Sequence, residues 1–324
     1  MFPFQRAGYF RFVRQSAIIL CLLLLVLLLY VKIGNLQSSE VFTTKNCSSS
    51  ENDSSLVFTP GACLLDVEYV EQNFVTLDQK DPVLISYSRI KYLSPPSKLE
   101  YVLAGPVNKP EQFADQYSTW IAKFFQHKKN GLFIECGAHT GENPSHTLHL
   151  ELQYNWTGLL IECNPTLIPI LRKHHRKAWI GAVCLSPKTT PGMHKFYTDF
   201  DLKWTQNPQL ETSFNKVKNS STVLAEVYSV PLYTLLASIG LNTIDWFSLD
   251  VEGAEFEILE TIPWDLVTIK VLTVEEIYLA WRNKIRDLDD HLRKNKMHYV
   301  KTLVHDRVYV HESVLHLKDA MDPN

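Results

Sequence analysis

The sequence predicts an α/β fold: a mostly parallel sheet with helices on both faces, closed by a C-terminal antiparallel hairpin. Three observations predict it. From residue 132 onward, short apolar runs alternate with stretches of helical apolar spacing. Several of those runs end in an acid followed by turn residues, as a strand does when it delivers a side chain to the edge of a sheet. The last two apolar runs, 298–303 and 307–311, flank His305-Asp306 as two strands flank a tight turn.

In chain order, residues 1–14 read as a cytosolic tail and 15–33 as a transmembrane signal anchor. There is no formal charge from Gln15 to Val31, and 17 such residues in a helix span roughly 26 Å. Arg6, Arg11 and Arg14 precede the apolar run and no acid appears before Glu40. That bias directs the N-terminus to the cytosol and the bulk of the chain to the lumen, a single-pass type II arrangement. A cleaved signal peptide would need a small-residue cleavage site, and Val31-Lys32-Ile33-Gly34 offers none. Residues 34–60 are rich in Ser, Asn and Thr and read as a flexible stem. Residues 61–130 form a lead-in with a turn at Ser94-Pro95-Pro96-Ser97 and helical spacing over 114–127. Residues 131–316 carry the α/β pattern and 317–324 a tail.

Within that pattern, strands are predicted at 132–136, 157–163, 178–185, 246–250 and 269–275. Asn143-Pro144 and Asn164-Pro165 read as helix starts. Further helices are predicted at 231–239, stopped by Gly240, at 254–261 and at 279–295.

Composition bounds the function. The formal net charge of −3 over 324 residues argues against a nucleic-acid partner. Five of the six cysteines face an oxidising lumen if the anchor is read correctly; Cys21 lies in the membrane. Cys47 and Cys63 flank a polar loop and either bridge or stay free. Cys136, Cys163 and Cys184 fall near the ends of neighbouring strands, where a disulfide between two of them is geometrically open and buried thiols are the expectation. Asn46, Asn52, Asn155 and Asn219 open N-x-[ST] sequons, which suit a lumenal glycoprotein.

The chemistry concentrates in three segments. Glu135-Cys136-Gly137-Ala138-His139-Thr140-Gly141 places an acid at a strand end, then two glycines that let the backbone approach a ligand. The four-residue glycine spacing is not the G-x-G-x-x-G of a dinucleotide site; it suits a loop around the amino-acid end of S-adenosylmethionine (SAM). Glu162 ends the next strand, 27 residues after Glu135, where a carboxylate can accept both hydroxyls of a ribose. Capping of the following helix is its structural alternative. Asp250 ends the fourth strand, and Glu252 and Glu255 follow it across a glycine turn, where helix capping competes with catalysis. Glu135, Gly137, Gly141, Glu162 and Asp250 are therefore the cofactor-binding candidates. Asp250 and His139 are the candidates for a catalytic base, with Glu275 and Glu276 behind them. The pairs His146/His149 and His174-His175 lack the spacing of a metal site and read as surface histidines. Arg172, Lys173, Arg176 and Lys177 read as a solvated helix C-terminus.

From residue 132 to 278 these segments, together with Gly158-Leu159-Leu160-Ile161-Glu162, Cys184-Leu185-Ser186 and Asp250-Val251-Glu252-Gly253-Ala254-Glu255, resemble the FkbM family of SAM-dependent methyltransferases. Asp81-Pro82, Ser94-Pro95-Pro96-Ser97 and Ser145-His146-Thr147-Leu148 are similar to its Star-like arthropod branch of single-span membrane proteins. The resemblance implies a Rossmann-like class I methyltransferase fold of seven strands with an antiparallel last strand, SAM as cofactor, and a hydroxyl on a small molecule or glycan as methyl acceptor. The branch implies a second function: a non-catalytic trafficking factor that helps membrane-bound growth-factor precursors, ligands of the EGF receptor, leave the endoplasmic reticulum for the Golgi. Both place the chain in the secretory pathway, in endoplasmic reticulum or Golgi with endosome and plasma membrane downstream, and both stay open on sequence.

Overall fold

A computed structural model of the chain describes residues 67–198, 209–210 and 222–318. The predicted anchor and stem lie outside the described residues. Among those described, no helix is long and apolar enough to cross a membrane.

Helices α1 (Val67–Asn73) and α2 (Pro82–Lys91) open the described chain, followed by a short strand β1 (Leu93–Ser94) and helix α3 (Gln116–Phe124). Asp81 starts α2 by accepting the Val83 N–H at 2.8 Å, with Pro82 at the first helical position. Asp115 and Ser118 form a reciprocal capping box that starts α3. The alternating body follows: β2 (Leu132–Cys136), α4 (Leu148–Tyr154), β3 (Thr157–Glu162), α5 (Ile168–Lys173), β4 (Trp179–Ala182) and β5 (Cys184–Leu185). Next come β6 (Gly192–Thr198), β7 (Gln209–Leu210), β8 (Thr222–Val230), α6 (Leu232–Ser238), β9 (Thr243–Leu249) and α7 (Glu255–Glu260). The chain ends on β10 (Thr268–Glu275), α8 (Ile277–Trp281), α9 (Ile285–Lys294), β11 (Met297–Leu303) and β12 (Asp306–His311).

The main sheet has the order β1-β4-β3-β2-β9-β10-β12-β11. β4, β3, β2, β9 and β10 run parallel, and β12 is antiparallel to both β10 and β11. This is the predicted α/β sheet with its closing hairpin, extended by the short edge strand β1, which pairs antiparallel with β4. The central strands are buried on both faces: Phe133, Ile134, Leu159, Leu160, Trp246, Phe247, Val271 and Leu272 are all solvent-free. That double burial is why they read as continuous apolar runs. Each such aliphatic or Phe side chain stabilises the fold by about 1.5–3 kcal/mol.

From residue 67 onward the lead-in belongs to this body. Arg89 and Ser238 tie α2 to α6, through Arg89 Nη1 to the Ser238 carbonyl at 2.5 Å and Ser238 Oγ to the Ile85 carbonyl at 2.8 Å. Gln79 and Thr234 add a second buried link, Thr234 Oγ1 donating to the Gln79 carbonyl at 2.8 Å.

Four differences from the sequence reading have physical causes. The helix after Asn143-Pro144 begins at Leu148, because Ser145, His146 and Thr147 donate to the buried Glu135 carboxylate instead of entering a helix. The segment 178–185 splits: β4 stays in the main sheet, while β5 joins a second sheet of order β5-β8-β6-β7 that the sequence reading did not contain. The helix predicted over 279–295 breaks into α8 and α9 at Asn283, whose φ is +56°. Cys163 and Cys184 form a disulfide with their Cα atoms 4.5 Å apart, linking the end of β3 to β5, and Cys136 remains a buried thiol.

Candidate functional site at the carboxyl edge of the sheet

The strand registers line up one row of residues. Cys136 pairs with Ile161 on one side and Leu249 on the other, and Leu249 pairs with Val274. One residue further on, Glu162, Gly137, Asp250 and Glu275 therefore stand level across four neighbouring strands. Asp306, at the start of antiparallel β12, pairs directly with Glu275 and completes the row. In sheets of this kind, ligands bind at this carboxyl edge.

Gly137 and Gly141 have φ of +87° and +76°, a region costly for any residue with a Cβ. At Gly137 the fit is also spatial, since a Cβ would lie 2.2 Å from the Asp250 carbonyl oxygen. Glycine thus lets the loop backbone descend onto Asp250, and the Gly137 and Ala138 N–H groups donate to the Ile161 carbonyl at 3.1 and 3.0 Å.

Glu162 is buried at the end of β3 and accepts the His139 N–H on one oxygen and the Asn164 N–H on the other, both at 2.6 Å. Each oxygen keeps a second acceptor site. Burial pushes its carboxyl up to about 7, against the pull of the Asn164 and His139 amides. It therefore ties the glycine loop to β3. His139 is exposed on that loop with φ +50°.

Glu135 faces inward. Its carboxylate accepts Ser145 Oγ at 3.0 Å, the His146 N–H at 2.7 Å and Thr147 Oγ1. Behind these donors lies Arg176, fully buried, bonded to Glu151 at 3.0 Å, to Ser145 and Thr147, and to the Gly141 carbonyl. The reading of Arg176 as part of a solvated helix end is thus corrected: Glu151 on α4 supplies a buried counter-charge that spacing alone does not reveal. The histidines are corrected likewise. His149 is buried, and none of His146, His174 and His175 is exposed. His146 pairs with Asp115 and packs on Tyr117 with ring centroids 4.2 Å apart. Burial lowers the His146 imidazole, but the Asp115 hydrogen bond and the charges of Glu135, Asp115 and Asp306 push it up to about 9.

The acidic end of the row has few partners. Asp250 Oδ1, Glu255 Oε2 and Glu275 Oε2 are buried carboxylate oxygens without a hydrogen-bond partner. Glu255 caps the turn through its other oxygen, which accepts the Val251 and Gly253 N–H groups at 3.0 Å each. The capping alternative thus describes one Glu255 oxygen, and the other is left without a partner. Burial, reinforced by Glu255 and Asp306, pushes the Asp250 carboxyl up; burial and then the charge of Asp250 push Glu275 up. Burial raises Glu255 to about 7, and raises Asp306 to about 6 despite its hydrogen bond from the Tyr117 hydroxyl at 3.0 Å. Tyr117, His146 and Asp306 were not among the sequence candidates. The sequence placed Asp306 in the turn of the predicted hairpin, and its pairing with Glu275 is visible only in the structure.

Residues 135–300 match the model of the methyltransferase FkbM domain. No curated protein matches the chain. Among solved structures, a methyltransferase from Pyrococcus furiosus is 11% identical over 66% of this chain and 88% of its own, with a TM-score of 0.32. The precorrin-6y C5,15-methyltransferase of Geobacter metallireducens is 10% identical over 65% and 91%, with a TM-score of 0.33. The N-terminal domain of human METTL16 in complex with SAH is 14% identical over 71% and 83%, with a TM-score of 0.31.

Proposed function

This chain belongs to the FkbM methyltransferase domain family, whose cofactor is SAM, and on that premise we propose that it transfers a methyl group to a hydroxyl oxygen of a glycan or small molecule. The observation that carries the reading is the level row of Glu162, Gly137 and Asp250 at the carboxyl edge of the sheet. The residues present fit the cofactor. A left-handed glycine at the strand end brings backbone close to the site, and the neighbouring strand ends in a carboxylate with acceptor capacity to spare.

When bound, SAM supplies an electrophilic methyl group on a sulfonium. The chain's residues do the rest. Glu162 would hold the ribose hydroxyls, and the loop 137–141 would seat the amino-acid end. Glu135 acts one step back, since its carboxylate fixes residues 145–147 and, through Arg176, the Gly141 carbonyl. Asp250, with Oδ1 unpartnered beside that loop, takes the acceptor's proton. His139 stands at the rim, where it meets whatever acceptor enters. Positioning of acceptor oxygen against methyl carbon supplies most of the acceleration.

The same reading places the chain on a secretory membrane, anchored by residues 15–33, with its α/β body in the lumen. The Cys163–Cys184 disulfide supports an oxidising compartment. Asn155, the only sequon asparagine among the described residues, is exposed and available to a glycan. Transfer of labelled methyl from SAM to a panel of sugar and small-molecule hydroxyls tests the activity. An alkali-stable methyl ether is the expected product. Transfer only to amines or carboxyls contradicts the hydroxyl assignment. No transfer by a chain that restores growth-factor export in cells would move the function to trafficking.

A further inference from the structure

Three carboxylates converge at the acidic end of the row. Asp250, Glu255 and Glu275 bring ligand atoms within 4.8 Å of one another. Each residue also has one oxygen that is buried and without a hydrogen-bond partner. Glu255 makes the strongest case. Its side chain is solvent-free, Oε1 is occupied by the Val251 and Gly253 amides, and Oε2 is left unpartnered inside the protein. A buried acceptor without a donor costs roughly 1–3 kcal/mol, and three neighbouring carboxylates that each hold one call for a partner. That partner is a proton shared among them or a cation.

We propose that Asp250, Glu255 and Glu275 form a binding site for one hard divalent cation of the Mg²⁺, Mn²⁺ or Ca²⁺ class. The donor set is all oxygen, which selects hard cations over zinc or copper. Bonds from such an ion to oxygen are about 2.0–2.6 Å, so two ligands on opposite sides are about 4–5 Å apart. The observed span fits inside that limit. The backbone holds the three ligands independently: Asp250 and Glu275 stand level on adjacent strands, and Glu255 is pinned by the turn it caps. Three carboxylates leave further coordination positions for water or an incoming hydroxyl oxygen. The inference rests on the methyl-transfer reading only for the cation's use, which is to hold the acceptor hydroxyl and acidify it, its proton passing to solvent water when Asp250 is a ligand.

The test is Mn²⁺ binding by the purified full-length chain after chelator treatment, followed by electron paramagnetic resonance of the free ion. SAM binding is measured on the same sample. One site per chain with a dissociation constant below about 1 mM is expected, displaced by Mg²⁺ and weakened at least about tenfold in both Asp250→Asn and Glu275→Gln. Each substitution puts a neutral amide in place of a buried carboxyl crowded by other acids, so both variants should melt no lower than the metal-free wild type. If one does not fold, the other and Glu255→Gln decide. No Mn²⁺ binding by a chain that binds SAM overturns the cation site and leaves the methyltransferase reading standing. Binding unchanged in the variants overturns it as well. Variant-sensitive Mn²⁺ binding by a chain that does not bind SAM keeps the site and removes the methyl-transfer reading.

Discussion

Asp245 and Asp250 lie five positions apart along one strand and its exit, and their surroundings are opposite. Asp245, near the start of β9, accepts Lys128 Nζ at 2.7 Å, the Leu132 N–H at 2.9 Å and Lys270 Nζ at 2.8 Å. Burial raises its carboxyl, but these three donors outweigh burial and hold it below the usual carboxylate range. Asp250, just past the end of β9, has one oxygen with no donor, and burial and the charges of Glu255 and Asp306 push it up against the pull of His146 and a hydrogen bond with Glu275. The difference teaches where this protein invests its charges. At the amino edge a carboxylate clamps three strands; at the carboxyl edge it is left available.

The comparison can be broken by mutation. The largest effect belongs to the most fully satisfied charge, Arg176. Arg176→Ala should cost about 3–5 kcal/mol in chemical denaturation, because it strands Glu151 in the interior. Asp245→Ala comes next, at roughly 2 kcal/mol, since its lysine partners are partly exposed and are rehydrated when released. Asp250→Asn should leave the unfolding midpoint unchanged or raise it, since it removes an ion from an unfavourable site. A large loss in Asp250→Asn would mean that its carboxylate is structural.

The pH dependence sharpens the same contrast. The folded value of Asp245 is depressed, so its contribution is present above the ordinary aspartate value and is lost as pH falls through the lower folded one. The folded value of Asp250 is raised. The folded state then holds a proton that the unfolded chain has released, and stability declines as pH rises above about 4 toward the folded value. Urea titrations across pH 3 to 8 should therefore show Asp245→Asn losing its deficit at the acid end. Asp250→Asn should instead gain most at the neutral end.

How much of this was legible follows from the same physics. The strands at 132–136, 157–162 and 269–275 were readable because burial on both faces leaves an uninterrupted apolar run. Glu162, Gly137 and Asp250 were readable as strand-end neighbours because strand ends and glycine turns are local features. Arg176 was not, because its counter-charge on α4 arrives by tertiary packing, and a run of basic residues otherwise reads as solvent-facing. The second sheet was missed because its strands, such as 192–198, mix polar and apolar residues and pair at the margin. The role of Glu135 was only half visible. The acid at the strand end was plain, but its three donors come from a segment that the Asn143-Pro144 signature assigned to a helix.

The central claim is that the carboxyl edge binds SAM through Glu162. Calorimetric titration of SAM into the purified chain, with Glu162→Ala alongside, tests it directly. Binding that weakens about 10- to 100-fold in the variant is the predicted result, the worth of charge-assisted hydrogen bonds to a ribose. Equal affinity in both proteins, or no binding by the folded wild type at millimolar SAM, would contradict it.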